Sequence, residues 1–339
     1  MSERKSVFFV VLLSVTFFAL ALFRLGSRDV PQTYWKPQEP GEAIVVDLGE
    51  VREVVRVAYF AALAPGSTYT LEYSKDGVTW EVGPELKLDW VFRWEHVDGY
   101  FLARYFRVTP RDAQGMLGEM AFFALEDPHP LPIASCTPGG EPLFDEQHVA
   151  QFERSYLTGT YFDEIYHART AFEHLHRLPP YEWTHPPLGK ILIALGVALF
   201  GMNPFGWRIV GVVFGTLLVP AVFALSRLFV QDTYALLATA LFTFDFMHFV
   251  QARIATVDTY VVFFILLAYS FLFRYFLKGN LTSLFLSGLF FGLGAATKWT
   301  AVYAGVGMAV LFFLYHGRAI REGVVSFADF AKRILPLAV

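Results

Sequence analysis

The sequence predicts a polytopic α-helical membrane protein with an inserted β-sandwich domain on the extracytoplasmic side. Of the 339 residues, 55% are hydrophobic and only 17% are charged, which is a low charge content for a soluble globular protein. The apolar residues are concentrated in one run at the N-terminus and in several runs beyond about Leu188. Between these two regions lies a polar stretch that contains short β-branched and aromatic runs, which are typical of strands.

Composition also excludes some classes of function and site. The formal net charge is −4 and no basic stripe is visible, so the sequence gives no indication of nucleic-acid binding. Cys136 is the single cysteine, which excludes an intrachain disulfide and a metal site of the CxxC type. A domain outside the cytosol therefore needs a hydrophobic core that is stable without disulfides.

The first apolar run, Val7 to Phe23, is predicted to be a retained transmembrane helix within residues 1–30. The alternative is a cleaved signal peptide, but positive residues follow the run directly and no small-residue cleavage site is evident. Positive residues also precede the run, which places the N-terminus in the cytoplasm. The flanking positive residues are Arg4, Lys5, Arg24 and Arg28.

Residues 41–126 are predicted to form the β domain. Gly and Pro residues separate its short strand-like runs, and Asp76-Gly77 between two of them is a hairpin signal. Many short strands favour a sandwich. The runs are Ile44 to Val46, Val54 to Tyr59, Tyr69 to Tyr73 and Tyr105 to Val108. Prolines then recur from Pro128 to Pro142, so residues 127–158 are predicted to be an extended linker.

Residues 205–339 contain five apolar segments, which are predicted to be transmembrane helices 2–6. They are 207–229, 234–249, 259–276, 281–296 and 301–315. The chain stops at Ile334 to Val339, which looks like the opening of another apolar segment and indicates a truncated product. Leu188 to Gly201 is a shorter apolar segment that follows two prolines, and its status must be decided separately.

The distribution of positive charge decides it. If 188–201 does not cross the membrane, most of the downstream cations fall on the cytoplasmic side, as the positive-inside rule requires. They are Arg227, Arg274, Lys278, Arg318, Arg321, Lys332 and Arg333. We therefore predict that 188–201 is an interfacial helix in an external loop that spans residues 159–204.

This topology leaves a group of charged residues at the external face. They are Asp163, Glu164, His185, Arg208, Asp245, Arg253, Asp258 and Lys298. Charges near a membrane interface are costly unless they are solvated or paired, so acids and bases on one side predict a site. The alternative is that each residue only caps its own helix or extends from the helix end into water.

Chemical roles can be assigned to several members of this group. A carboxylate such as Asp163 or Glu164 can accept a proton from a hydroxyl acceptor. Two prolines fix the chain between His185 and Lys190 and then admit a helix start, which holds His185 at the interface unless the segment is only a kinked linker. Arginine and lysine suit a phosphate, and a lipid phosphate fits all three external cations. These cations are Arg208, Arg253 and Lys298.

The order of these motifs resembles the protein O-mannosyltransferase family over about Gly159 to Tyr303. The matching segments are Phe162-Asp163-Glu164, His185 to Lys190, Trp207-Arg208, Phe244-Asp245, Gln251-Ala252-Arg253, Val257-Asp258 and Thr297-Lys298-Trp299. The resemblance implies a helical bundle of the glycosyltransferase C type. It also implies transfer of a sugar, with mannose expected, from polyprenyl phosphate to a hydroxyl acceptor such as Ser or Thr of a protein.

The resemblance further implies roles for individual residues. Asp163 is expected to be the catalytic base, with Glu164 as its neighbour. Arg208 is expected to handle the donor. From their own chemistry and position, Arg208, Arg253, Lys298 and His185 are together expected to bind the donor phosphate, and Asp245 and Asp258 to support them. Direct displacement inverts the anomeric carbon, and neither a metal nor another cofactor is expected. The long stretch between the first helix and Asp163 departs from eukaryotic members, so a bacterial member in the plasma membrane is implied.

The β domain also resembles a known fold, the discoidin (coagulation factor 5/8 type C) domain, which often binds sugars or lipids. The matching segments are Asp47-Leu48-Gly49, Tyr73 to Trp80 and Ala103 to Val108. A purely structural spacer is the alternative. Three other functions stay open for the whole chain: a lipid-carrier transferase acting on lipid A or a cell-wall glycan, a membrane-anchored glycan-binding protein, and a transporter. The transporter is disfavoured because the charges lie near one face instead of mid-membrane.

Overall fold

A computed structural model of the chain describes residues 3–63, 66–125, 127–323, 326 and 328. The apolar segment predicted at Ile334 to Val339 lies outside the described residues, as do Lys332 and Arg333.

The described residues form two compact units. The helical unit comprises those within Met1–Phe23, Glu182–Leu195 and Arg208–Val339. The sheet unit comprises those within Arg24–Tyr181 and Gly196–Trp207. The inserted β domain therefore shares its compact unit with the segment that carries Asp163.

The sheet unit contains, among the described residues, a six-stranded antiparallel sheet with the order β3-β2-β4-β1-β5, in which β6 also pairs with β1. Strands β1 to β6 are Ile44–Leu63, Thr68–Ser74, Glu81–Lys87, Arg93–Pro110, Met116–Phe123 and Ser135–Cys136. The hairpin predicted at Asp76-Gly77 is confirmed, because it joins the paired strands β2 and β3. The Asp76 carboxylate accepts hydrogen bonds from the N–H groups of Val78 and Thr79, each at 2.8 Å, and Gly77 has a φ of +77°.

The proline-rich segment 127–158 differs from the predicted extended linker, because much of it packs on the sheet. The N–H of Leu131 donates to the carbonyl of Phe122 at 2.7 Å, and the N–H of Thr137 donates to Val45 at 2.8 Å. Leu143 is fully buried in the core of the sheet. Proline keeps a chain extended but removes only its own N–H donor, so the residues between the prolines can still pair with strands.

Glu119 in β5 gives the sheet unit a pH-dependent stability. Its carboxyl group is buried and accepts hydrogen bonds from the N–H of Glu146, at 2.9 Å, and from the side chain of Gln147. Burial raises the pKa of Glu119 to about 8 from its ordinary value of 4.5. The folded state then binds more protons than the unfolded state between these values, so the free energy of unfolding falls as pH rises through this window.

We expect the sheet unit to resist proteolysis better at pH 5 than at pH 8.5, by an amount that Glu119→Gln reduces. The amide cannot ionise, so it removes this source of pH dependence whatever its effect on absolute stability. Limited proteolysis of both proteins across the range tests this. An identical pH profile in wild type and Glu119→Gln would show that Glu119 does not cause the dependence.

The described helices confirm a polytopic membrane protein. Helices α1 to α9 are Glu3–Leu22, Glu164–Leu175, Leu188–Phe200, Pro204–Ser226, Asp232–Thr243, Phe246–Ala252, Asp258–Lys278, Leu281–Ala295 and Ala301–Arg321. By length and composition, four described helices can cross a membrane, namely α1, α4, α7 and α9, or five spans if α5 and α6 act as one. Helix α3 has 13 residues, or about 20 Å, which is shorter than a hydrocarbon core of about 30 Å. Its interfacial position stays a prediction.

The segment predicted as a single span at 234–249 is broken in the structure. Helices α5 and α6 meet at 58° around Phe244 and Asp245. Asp245 is the N-cap of α6, and its carboxylate accepts a hydrogen bond from the N–H of His248 at 2.9 Å. An aspartate side chain competes for backbone N–H groups and so favours a new helix start over a continuous helix.

Candidate active site

Asp163, the predicted base, lies at the start of α2 in the sheet unit. It occupies the N-cap position, with φ of −69° and ψ of −2°, but its side chain makes no capping hydrogen bond. Its carbonyl accepts hydrogen bonds from the N–H groups of Tyr166 and His167. Within the described parts of the chain, no group donates a hydrogen bond to its partly exposed carboxylate. The main chain therefore holds Asp163 at the start of α2 without help from its side chain.

Glu164, the neighbouring acid, has a different environment. It is fully buried, and its carboxylate accepts a hydrogen bond from the N–H of Tyr161 at 2.8 Å. The N–H of Glu164 in turn donates to the carbonyl of Tyr161 at 3.2 Å. These reciprocal bonds close the turn that precedes α2, so Glu164 helps to fix the position of Asp163.

The closed turn holds Phe162 in an unfavourable conformation. Its φ is +53°, in the left-handed region, which costs roughly 1–2 kcal/mol for a residue with a side chain. Phe162, which precedes Asp163, is 56% exposed, and Tyr161 is 55% exposed. The Phe162 conformation was not evident from the sequence, because no local pattern distinguishes it from an ordinary loop residue. It places aromatic surface next to the predicted base.

In the helical unit, the segment around His185 is held by a buried ion pair. The ammonium of Lys190 donates to the carbonyls of Glu182 and His185, each at 2.8 Å, and to the Glu182 carboxylate. Only 2% of the Lys190 side chain and 10% of the Glu182 side chain are exposed. Burial alone would raise the pKa of Glu182, but the hydrogen bonds from Lys190, Thr184 and His185 together hold it below its usual range.

This cluster changes the expectation for His185. Its Nδ1 atom lies 3.1 Å from the Glu182 carboxylate, and its carbonyl accepts from Lys190, so the residue is anchored locally. Glu182 and Lys190 were not predicted as partners. They are eight positions apart across two prolines, and no helical or strand periodicity connects such a pair.

Three distant segments of the helical unit meet at this point. The N–H of Leu188 donates to the carbonyl of Ala296 at 3.0 Å, and the indole N–H of Trp299 donates to Thr184 at 2.8 Å. Gly189 allows the approach, because a Cβ atom there would lie 2.6 Å from a methyl carbon of Val257. The fold thus joins 184–190, 257–258 and 296–299, which carry three of the sequence motifs.

Two of the predicted site residues form an ion pair at this junction. The Lys298 ammonium lies 2.7 Å from the Asp258 carboxylate, and both side chains are partly exposed. Asp258 begins α7, whereas Lys298 follows α8. The Asp258 carboxylate therefore restrains the Lys298 ammonium group, and the supporting role of Asp258 stays a prediction.

Arg253 lies at the end of α6. Its guanidinium donates to the carbonyl of Phe23 at 2.9 Å and lies 4.9 Å from the ring centroid of Phe249. Together with Phe17 and other side chains of α1, α5 and α6, these residues line a cavity of about 340 Å³. In the described lining, Arg253 supplies the charge and aromatic or aliphatic side chains supply most of the rest. Such a combination suits an amphipathic ligand with an anionic head.

Arg208 is more buried than its predicted role requires. Only 1% of its surface is exposed, and it already has interaction partners in the structure. A Cβ atom on Gly211, one turn further along α4, would lie 3.0 Å from the carbonyl oxygen of Ala252. The first turns of α4 therefore lie against the segment that carries Arg253.

The structure thus brings together part of the predicted site. In the helical unit, His185, Asp258 and Lys298 lie on segments in mutual contact, and Arg208 and Arg253 lie on two segments in contact with each other. Asp163 and Glu164 belong to the sheet unit.

Comparison with protein families matches residues 184–329 to a family described as dolichyl-phosphate-mannose-protein mannosyltransferase. Curated proteins similar to the chain are named polyprenol-phosphate-mannose–protein mannosyltransferase. The protein of Mycobacterium tuberculosis (strain ATCC 25618 / H37Rv) is 32% identical in an alignment of 208 residues that covers 54% of this chain and 36% of the relative. That of Corynebacterium glutamicum is 30% identical in an alignment of 196 residues that covers 50% of this chain and 36% of the relative. The chain therefore spans little more than a third of these relatives.

Comparison with solved structures finds carbohydrate-binding modules that match about a quarter of the chain. A structure described as CBM32 of AlyQ in complex with 4,5-unsaturated mannuronic acid is 19% identical, with a TM-score of 0.25, and covers 26% of this chain and 76% of that module. A chitosan-binding module from Paenibacillus sp. IK-5 is 22% identical, with a TM-score of 0.23, and covers 27% of this chain and 75% of that module.

Proposed function

Because residues 184–329 match the dolichyl-phosphate-mannose-protein mannosyltransferase family, we propose that this chain is part of a membrane glycosyltransferase. It moves mannose from a polyprenyl-phosphate donor to the hydroxyl of a Ser or Thr residue of a protein. The observation that carries the proposal is that Gly189 packs closely against Val257 and Thr297, and all three residues lie within the matched segment. Motifs far apart in the sequence are joined there.

In the proposed reaction, Asp163 acts as the general base. The acceptor hydroxyl transfers its proton to the carboxylate while its oxygen forms a bond to the anomeric carbon. The bond from that carbon to the phosphate oxygen breaks at the same time, and its electron pair leaves with polyprenyl phosphate. One displacement inverts the anomeric carbon. The partly exposed carboxylate of Asp163, which accepts no hydrogen bond from a described residue, supports this role, whereas buried Glu164 maintains the turn.

The donor phosphate is proposed to bind cations of the helical unit. Arg253 supports this best, because it is partly exposed and lines an apolar cavity suited to a polyprenyl chain. Lys298, oriented by Asp258, and His185 are assigned to the same phosphate. Arg208 is assigned a supporting contact to it from its buried position. These charges stabilise the leaving group, so the proposed reaction uses no metal or other cofactor.

We expect Arg253→Gln to raise the apparent KM for the lipid donor about tenfold or more, since a charge-assisted hydrogen bond contributes about 1.5–3 kcal/mol. Donor titration in the full-length protein measures this change. Arg318→Gln is the matched control, because Arg318 pairs with Glu322 at the end of α9 and not at the cavity. An unchanged donor KM for Arg253→Gln, or an equal rise in the control, would contradict the assignment.

The proposed membrane orientation places the N-terminus in the cytoplasm of a bacterial cell and the reaction on the extracytoplasmic face. Arg227, Arg274 and Lys278 line one groove with Val7, near the start of α1, whereas Lys298 lies at the end of α8 that meets Gly189. This separation of charges supports the positive-inside assignment. Cysteines placed at 227 and 318, after replacement of Cys136, should be protected from impermeant reagents in intact cells. Labelling of both cysteines from outside the cell would contradict the proposed orientation.

The proposed protein acceptor is tested in the cell. Mass spectrometry of exported proteins should find hexose on Ser or Thr residues when the full-length gene is present, and lose it when the gene is deleted. Loss of a sugar from lipid A or from a cell-wall glycan, with unchanged exported proteins, would instead support a related lipid-carrier transferase with another acceptor.

A further inference from the structure

We propose that the inserted β domain positions the catalytic carboxylate, through the loop 88–92 between β3 and β4. The inference rests on the proposed function of Asp163. The resemblance of the β domain to discoidin folds suggests a glycan-binding or spacer role, but the contacts of this loop point to the segment that leads into α2. Every contact described below lies within the sheet unit.

Hydrogen bonds fix the chain just before Asp163. The N–H of Thr160 donates to the carbonyl of Phe92 at 3.0 Å, and its hydroxyl donates to the carbonyl of Val91 at 2.6 Å. Thr160 is 98% buried, with an exposure of 2%, so water does not compete for these bonds. They hold the chain three residues before the base.

Close packing adds a second restraint. Gly159 passes directly over the start of β4, where a Cβ atom would lie 3.0 Å from the Cα atom of Arg93. Any larger residue would push the chain away from the strand. The close approach of Gly159 therefore fixes the distance between β4 and the chain that leads to Asp163.

The ring of Phe92 also contacts helix α2, which begins directly after Asp163. It packs against Phe172 with 5.2 Å between ring centroids, and Tyr34 contacts both rings at 6.3 and 6.4 Å. Phe172 lies in α2, nine positions after Asp163. The loop thus restrains the segment both before the helix and along it, which limits translation as well as rotation of the helix start.

The backbone of Phe92 indicates that this arrangement is imposed by its surroundings. Phe92 is fully buried and has a φ of +50°, in the left-handed region that a bulky residue rarely adopts. Its N–H donates to Ala62 at 3.2 Å, which ties the loop to β1. Strained conformations of this kind persist where the fold over-determines them, and they cluster at functional sites. The loop is therefore a rigid support for Asp163.

The test uses two variants of the support and two controls in the full-length protein. Phe92→Ala removes the ring, and Thr160→Val removes the hydroxyl while keeping the side-chain shape. Thr160→Ser keeps the hydroxyl. Leu71→Ala removes a fully buried side chain of β2 from the core of the same sheet and leaves the bonds of Thr160 and the ring of Phe92 in place. Transfer is measured per folded protein, below the unfolding temperature of every variant.

We expect Phe92→Ala and Thr160→Val to lower kcat by about 10- to 100-fold with an unchanged donor KM, because small misplacements of a reacting group have effects of this size. Thr160→Ser should restore most of the rate. Leu71→Ala should lower the unfolding temperature and leave kcat unchanged. A wild-type kcat in both support variants, or an equal loss in Leu71→Ala, would overturn the proposal.

Hydrogen exchange supplies a readout that does not depend on activity. Amides 164–167 should exchange faster in Phe92→Ala than in wild type, but not in Leu71→Ala. Unchanged protection in Phe92→Ala would overturn the positioning role whatever the activity. Failure of the proposed function is distinguishable, because it appears as absent transfer in the wild type or as a wild-type rate in Asp163→Asn.

Discussion

Asp163→Asn is expected to lower the rate of sugar transfer by about 100- to 10,000-fold, which is the usual contribution of a general base. A hydroxyl is a poor nucleophile at neutral pH, so it needs a proton acceptor beside it. Asparagine has nearly the same shape as aspartate but cannot accept this proton. Single-turnover transfer with matched amounts of folded protein measures the loss.

Asp163→Asn should change the chemistry of this side chain without disturbing the fold. The Asp163 side chain does not cap α2, so asparagine removes no capping hydrogen bond and the helix start should persist. Donor binding should also remain, because the proposed phosphate contacts come from other residues. Glu164→Gln is the contrasting variant, since it weakens the reciprocal bonds of the turn and should affect folding as well as rate. A wild-type rate in Asp163→Asn would remove the catalytic assignment.

Lys190→Met is expected to destabilise the folded protein by about 3–5 kcal/mol, because it leaves the buried carboxylate of Glu182 without its cation. The Lys190 ammonium donates to three acceptors just before α3, namely the carbonyl and the carboxylate of Glu182 and the carbonyl of His185. The yield of monodisperse protein and its unfolding temperature in detergent should both fall. A loss of transfer should accompany the loss of folded protein.

Two further variants distinguish the effect of breaking the buried Lys190–Glu182 pair from the effect of losing any positive charge. Arg318→Gln breaks an exposed ion pair, with 74% and 50% of the two side chains accessible, and should cost no more than about 1 kcal/mol. Lys190→Met combined with Glu182→Gln removes both charges and should recover part of the stability lost in the single variant. If Lys190→Met were no more damaging than Arg318→Gln, the pair would not maintain the fold.

The fold was predictable wherever short-range chemistry determines it. Asp76-Gly77 marks its hairpin because the aspartate bonds the turn and glycine accepts a positive φ. The long apolar runs at α1, α4, α7 and α9 mark helices that can cross a membrane. The break at Asp245 was missed because the apolar run around it masks a local capping signal that aspartate does provide.

The sequence indicates candidate site residues but not the environments in which the structure places them. Motif order indicates Asp163 and Lys298 as candidates. The structure adds that the Asp163 carboxylate accepts no hydrogen bond from a described residue and that the Lys298 ammonium is paired with Asp258. The burial of Arg208 depends on contacts with distant segments, and the bonds of Glu182 depend on the path of the chain through two prolines; no local period encodes either. The packing of 127–158 on the sheet was missed for the same reason.

The proposed mannosyltransferase activity is tested most directly by transfer from synthetic polyprenyl-phosphate mannose to a peptide with Ser or Thr, catalysed by the purified full-length protein. We expect one hexose on a hydroxyl for each polyprenyl phosphate released, with inverted anomeric configuration, and almost no transfer by Asp163→Asn. Transfer only from a nucleotide sugar, or with retained configuration, would contradict the proposal.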